Sequence, residues 1–115
     1  MENKIEVLKT ASEYIDKLKE AILTVSKHLQ GSQYQNGLNM IPSIADGLNW
    51  LTAVIENTGD VLKREISINE INDKLNEIVE ALESQDNILV GDLFEYELLP
   101  ILENAEKVIN DSIAN

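Results

Sequence analysis

The sequence predicts an all-α fold: an antiparallel up-down-up-down four-helix bundle with a Pro-kinked C-terminal helix. Three observations carry that expectation. Apolar residues recur at alternating spacings of three and four, the period that places them on one helical face. Capping residues stand where those runs begin. The connections are short, which favours antiparallel neighbours. At 115 residues with 43% apolar composition, the chain reads as one domain, 1–115, large enough for a single core and too apolar for disorder.

Helix 1 is the clearest element. Leu8, Ala11, Ile15, Leu18, Ile22, Val25 and Leu29 form a sustained seam, and Ile5 extends it one turn earlier. Asn3 followed by Glu6 has capping-box spacing, and Gly31 is placed to end the helix in a left-handed conformation. The expected span is about 3 to 30, roughly 40 Å at ~1.5 Å per residue. Helix 2 begins anywhere between Gln33 and Met40. Pro42 fits either its first turn or a kink in a longer helix. Its seam is Ile41, Ile44, Leu48, Leu51 and Ile55, and Gly59-Asp60 breaks it. Gly47 beside Trp50 lets a neighbouring helix or a large ring come close, with Trp50 a core or rim anchor.

Helix 3 has the best-formed start: Ser67 as N-cap, Glu70 at the reciprocal position, Ile66 and Ile71 as the hydrophobic staple. Ile68, Ile71, Leu75, Ile78 and Leu82 continue the pattern. The turn Glu83-Ser84-Gln85-Asp86 feeds helix 4, with Asp86 as its N-cap. Helix 4 runs from about 87 to 112 across Pro100, which should clash with the Tyr96 carbonyl and kink the helix. One broad face holds Val90, Phe94, Leu98, Ile101, Leu102, Ala105, Val108 and Ile109. A narrower stripe opposite holds Leu89, Asp92, Tyr96, Leu99 and Glu103. Two apolar stripes require two neighbours. The second stripe is either exposed or covered through the Pro100 kink.

Composition narrows the function. Nine basic residues against 21 acidic give a net charge of −12, divided as −2 over residues 1–57 and −10 over 58–115. Phosphate backbones and anionic lipid surfaces are repelled by such a chain, so neither nucleic-acid nor membrane binding is expected. With no cysteine there are no disulfides or thiolate metal sites. No apolar run reaches the ~20 residues of a membrane span. Met1-Glu2-Asn3-Lys4 lacks the basic and apolar blocks of a signal peptide, so a cytoplasmic location is expected.

Catalytic constellations are incomplete. A di-iron bundle needs Glu-x-x-His on two helices, yet the single histidine, His28, follows Val25 at that spacing. His28 reads as a rim residue near the end of helix 1. Gly91 alone makes no phosphate loop. Glu77-x-x-Glu80 with Asp92-x-x-Glu95 has the spacing of a Mg²⁺-dependent all-α nucleotide pyrophosphohydrolase. However, Glu77 and Glu80 project about 150° from the core face of helix 3, and Lys63 and Arg64 lie outside these helices. This enzyme is the alternative reading. A third, suggested by charge alone, is an acidic decoy for a nucleic-acid-binding protein.

The leading expectation is a non-enzymatic interaction bundle that binds a protein, a second copy of itself included, through helix 4. Its surface would comprise Leu89, Asp92, Glu95, Tyr96, Leu99 and Glu103, an apolar strip rimmed by carboxylates. No catalytic residue, metal or cofactor is assigned.

Two stretches also carry a resemblance. Asp86 with Gly91-Asp92-Leu93-Phe94-Glu95-Tyr96-Glu97-Leu98-Leu99-Pro100, and Gly47-Leu48-Asn49-Trp50, resemble segments of an uncharacterised family of small acidic helical proteins from low-GC Gram-positive bacteria. There the patterns are Asp-Leu-x-Glu-Tyr-Glu-x-x-Pro and Gly-Leu-x-Trp. The resemblance implies no activity. It does imply that Asp92, Glu95, Tyr96, Glu97 and Pro100 act as a unit.

Overall fold

The computed structural model describes residues 3–114. Met1 and Glu2, part of the expectation about a leader segment, lie outside them, as does Asn115. The described residues are helical with no strand and fill an elongated volume of 45 × 23 × 22 Å.

Helix α1 spans Lys4–Gln30. The Asn3 carboxamide caps it by accepting from the Ile5 N–H at 2.9 Å, one residue short of the expected partner Glu6. All seven seam residues are buried. Withdrawing each large aliphatic side chain from water stabilises the fold by roughly 1.5–3 kcal/mol, so this face commits the helix to the core. One expectation is corrected at its end. Gly31 has φ −112°, an extended conformation, and its N–H reaches back to the His28 carbonyl at 3.3 Å. The chain enters the next helix three residues later, where Gly37 lies so close to Leu29 that a Cβ would stand 3.0 Å from Leu29 Cγ.

Helix α2 spans Tyr34–Asn57 and carries Pro42 inside it, so the longer of the two expected helices is the one formed. Ile44, Leu48, Leu51 and Ile55 are buried, and Ile41 packs against the core. The helix stops at Thr58, whose hydroxyl and N–H both turn to the Val54 carbonyl. A 3₁₀ turn, Gly59–Val61, follows.

Helix α3 spans Ile68–Glu83. Ser67 Oγ accepts from the Glu70 N–H at 3.2 Å, one of the two bonds of the expected capping box, and Ile66 and Ile71 are both buried. The helix ends in a Schellman turn: the Asp86 N–H bonds the Ala81 carbonyl and the Gln85 N–H bonds that of Leu82. Gln85 occupies the left-handed position, with φ 59°.

The last helical stretch begins at Asp86, whose carboxylate accepts from the Leu89 N–H at 3.0 Å. It comprises α4, Asn87–Asp92, a π-helical segment, Leu93–Leu98, and α5, Leu99–Ile113. Pro100 sits just past the π segment. The Leu99 N–H pairs five residues back with the Phe94 carbonyl, so the chain is already out of α register where the proline ring would meet a carbonyl.

Four polar ties join α1 to this stretch. Ser12 pairs with Asn110, Lys19 with Glu106, Ser26 with Gly91 and Glu95, and Gln30 with Asp92. Partner numbers fall on one helix as they rise on the other.

Candidate functional site

The π segment decides where the six expected surface residues lie. On an uninterrupted α-helix, Leu89, Asp92, Tyr96, Leu99 and Glu103 share one stripe. A turn with an extra residue rotates everything beyond it by about 100° relative to what precedes it. Leu99 and Glu103, beyond it, are therefore rotated away from Leu89 and Asp92, which precede it.

Asp92, Glu95 and Glu103 turn toward α1. Gln30 Nε2 donates to Asp92 Oδ1 at 2.6 Å. The buried Ser26 hydroxyl lies 3.1 Å from the Gly91 carbonyl and 3.2 Å from Glu95 Oε1. Gly91 permits this approach, since a Cβ there would come within 3.0 Å of Gln30 Cγ. Glu103 is exposed but near enough to Lys19 to help raise that ammonium's pKa, which is held up mainly by its hydrogen bond to Glu106. Leu99 is half-buried against the core.

Leu89 and Tyr96 remain open, at 42% and 66% exposure. Tyr96 is the freest large side chain of the stretch. Its phenol is held above its ordinary pKa by a hydrogen bond to the neighbouring Glu95 carboxylate. Leu89 faces α3 and, with the buried Leu93, forms the apolar wall of a cleft of about 360 Å³. Glu77, Glu80 and Glu97 stand around that cleft. Lys74 bridges two of them, 2.8 Å from Glu77 and 2.8 Å from Glu97, and both contacts raise its pKa, that to Glu77 first. One ammonium thus meets two of the three carboxylates.

The two acidic pairs considered for Mg²⁺ part company here. Glu77 and Glu80 line the α3 cleft, whereas Asp92 and Glu95 bond to α1. Among the described residues no group of three or more His, Asp or Glu side chains is arranged to hold a metal ion. No described helix is long and apolar enough to cross a membrane.

A second feature lies between α1 and α2. Tyr14 meets Trp50 edge-to-face, ring centroids 5.3 Å apart at 77°. A Cβ at Gly47 would collide with the Tyr14 hydroxyl, so the close ring approach expected near Gly47 is made by Tyr14. Trp50 itself is 41% exposed, a rim anchor. Tyr14 was not singled out by the sequence pattern because it stands one residue off the α1 seam, beside Ile15. The signal for it is Gly47 beside Trp50, which admits either a close helix or a ring without saying whose.

Comparison with curated proteins and with solved structures gives no match. A family model described as a domain of unknown function, DUF8042, matches residues 6–108, which takes in α1 through most of α5. The chain belongs to the DUF8042 family.

Proposed function

We propose that this chain is a non-enzymatic interaction module of adaptor or chaperone-like kind, an antiparallel up-down-up-down bundle working in the cytoplasm. Its partner would bind on the face that α3 shares with the last helical stretch. The observation that carries this reading is the cleft at Leu89: an exposed leucine and a buried one between three carboxylates, two of them paired with a single lysine. Apolar surface set in acidic surroundings suits a protein segment that is apolar on one side and basic on the other. The net charge of −12 steers such a partner toward the bundle. Tyr96 extends the surface, and tyrosine is a common interface anchor. Asp92, Glu95 and Glu103 form its α1-facing rim, and Leu99 is its link to the core.

Leu89→Arg is the test, with chemical crosslinking and affinity capture from native lysate beside the wild type. Loss of a captured protein with unchanged far-UV helicity is the expected result. Capture that survives Leu89→Arg unaltered would remove the cleft from the binding surface. Sedimentation of the wild type distinguishes self-association, since a second copy would then be the partner and Leu89→Arg would return the chain to monomer.

A further inference from the structure

We propose that the cleft between α1 and α2 centred on Trp50 takes an arginine or lysine side chain borne by an amphipathic helical segment of a basic protein. This is a second binding site, separate from the α3-facing cleft. Thr10 and Tyr14 are one turn apart on α1, as are Asp46 and Trp50 on α2, so each pair shares a face. Gly47 lies between them, and the room its missing side chain leaves is taken by the Tyr14 ring. Tyr14 and Trp50 form a T-shaped pair while the indole stays 41% exposed, so an aromatic ring lines the same space as Asp46.

These four residues, with Ser43 and Gly47, enclose a space of about 450 Å³. It runs on toward Val7 and Ala53 at one end and Ala21 and Ile44 at the other, through adjoining spaces of about 390 and 200 Å³. From Lys4 to Ala21 the groove covers roughly 25 Å of helix, the length of a short helical segment.

Charge selects the occupant. Asp46 is the only acid or base lining the central space besides the Tyr14 phenol. A cation seated there gains both the indole quadrupole and the carboxylate. Lys4, at one end, does not oppose this: it is engaged by both oxygens of Asp60, at 2.8 and 2.9 Å. Lys17 stands at the other end, next to Ala21, where an acidic or apolar residue of the segment fits. A second copy would bring its own charge of −12 and is disfavoured. A free small cation would fill only the centre.

Trp50 is the sole tryptophan, so its emission reports on this cleft alone. The full chain is titrated with a synthetic Leu/Arg amphipathic peptide of about 18 residues, a helix of roughly 27 Å, and in parallel with its Leu/Glu counterpart and with arginine amide. The Leu/Arg peptide should bind with a blue shift of Trp50 emission, and the other two should give little response. Followed by Trp50 emission, Asp46→Lys should weaken the peptide about tenfold or more, with far-UV helicity retained because Asp46 is exposed. Glu83→Lys, which changes net charge equally and lines neither cleft, should leave that affinity nearly unchanged. Equal losses in Asp46→Lys and Glu83→Lys, or binding without any change at Trp50, would overturn the proposal. So would arginine amide binding as tightly as the peptide, or a concentration-dependent dimer giving the same emission shift unaided.

Discussion

Helix α1 and the last helical stretch each run for 27 residues, lie side by side, and reach their packing by different routes. The α1 seam alternates threes and fours, so an unbroken α-helix keeps all seven residues on one face, and all seven are buried. The last stretch places Val90, Phe94 and Leu98 in the core at steps of four. Each such step on an α-helix drifts by about 40°. A third such step would leave Leu102 about 120° from Val90, at the edge of that face. The π segment Leu93–Leu98 takes up that drift and the missing Pro100 donor together. A regular seam makes a regular helix; a run of fours ahead of a proline calls for an extra residue in the turn.

The sharpest test of this contrast is a pair of truncations. Ile22 is fully buried on α1, and Ile22→Ala should cost about 2–5 kcal/mol by urea unfolding. Leu99, the first residue beyond the π segment, is half-buried, and Leu99→Ala should cost about 1 kcal/mol, in proportion to the smaller area it hides. Equal losses would show that the region after the π segment is packed as firmly as α1, and the comparison would fail.

The same contrast explains what was legible in the sequence. The α1 seam, the Ser67 and Asp86 caps and the breaks after helices 2 and 3 all depend on residues within a turn of one another, and each is found. Pro100 announced an irregularity, but its form depends on where Phe94 and Leu102 must meet α1 and α3. That is tertiary information. The π segment also turns Leu99 and Glu103 away from Leu89 and Asp92, a rotation that an ideal wheel through residues 93–98 does not contain. Leu89 and Tyr96 stayed exposed, while Asp92 and Glu95 found partners on α1. The surroundings of Trp50 are half visible: Gly47 admits a close helix or a ring, and only the packing of α1 on α2 supplies Tyr14.

A smaller effect separates the two helix ends. Gly31, after α1, has an extended φ of −112°, while Gln85, after α3, holds the left-handed position at φ 59°. Glycine has no Cβ to oppose that conformation. Gln85→Gly should therefore stabilise the chain by about 0.5–1 kcal/mol, read as a higher urea midpoint with an unchanged slope. A loss instead would show the Gln85 side chain holding the turn that sets the start of the last stretch.

The smallest effect concerns the ionic tie between the two long helices. Glu106 is half-buried beneath α1, with Lys19 Nζ at 2.7 Å. Burial raises its pKa above the ordinary 4.5, a hydrogen bond with Asp16 raises it further, and Lys19 only partly offsets both. The folded chain thus holds this proton more tightly than the unfolded chain does. Between 4.5 and the raised value the folded state carries more protons, so stability falls as pH rises through that window and is level above it. Glu106→Gln keeps an acceptor for Lys19 and a donor for Asp16 while removing the titration. Unfolding free energies measured from about pH 7 downward should then show the wild type gaining on the variant as the window is crossed. Parallel curves would mean that Lys19 fully compensates the burial, leaving this tie electrostatically as neutral as the amide-based one between Gln30 and Asp92 at the other end of α1.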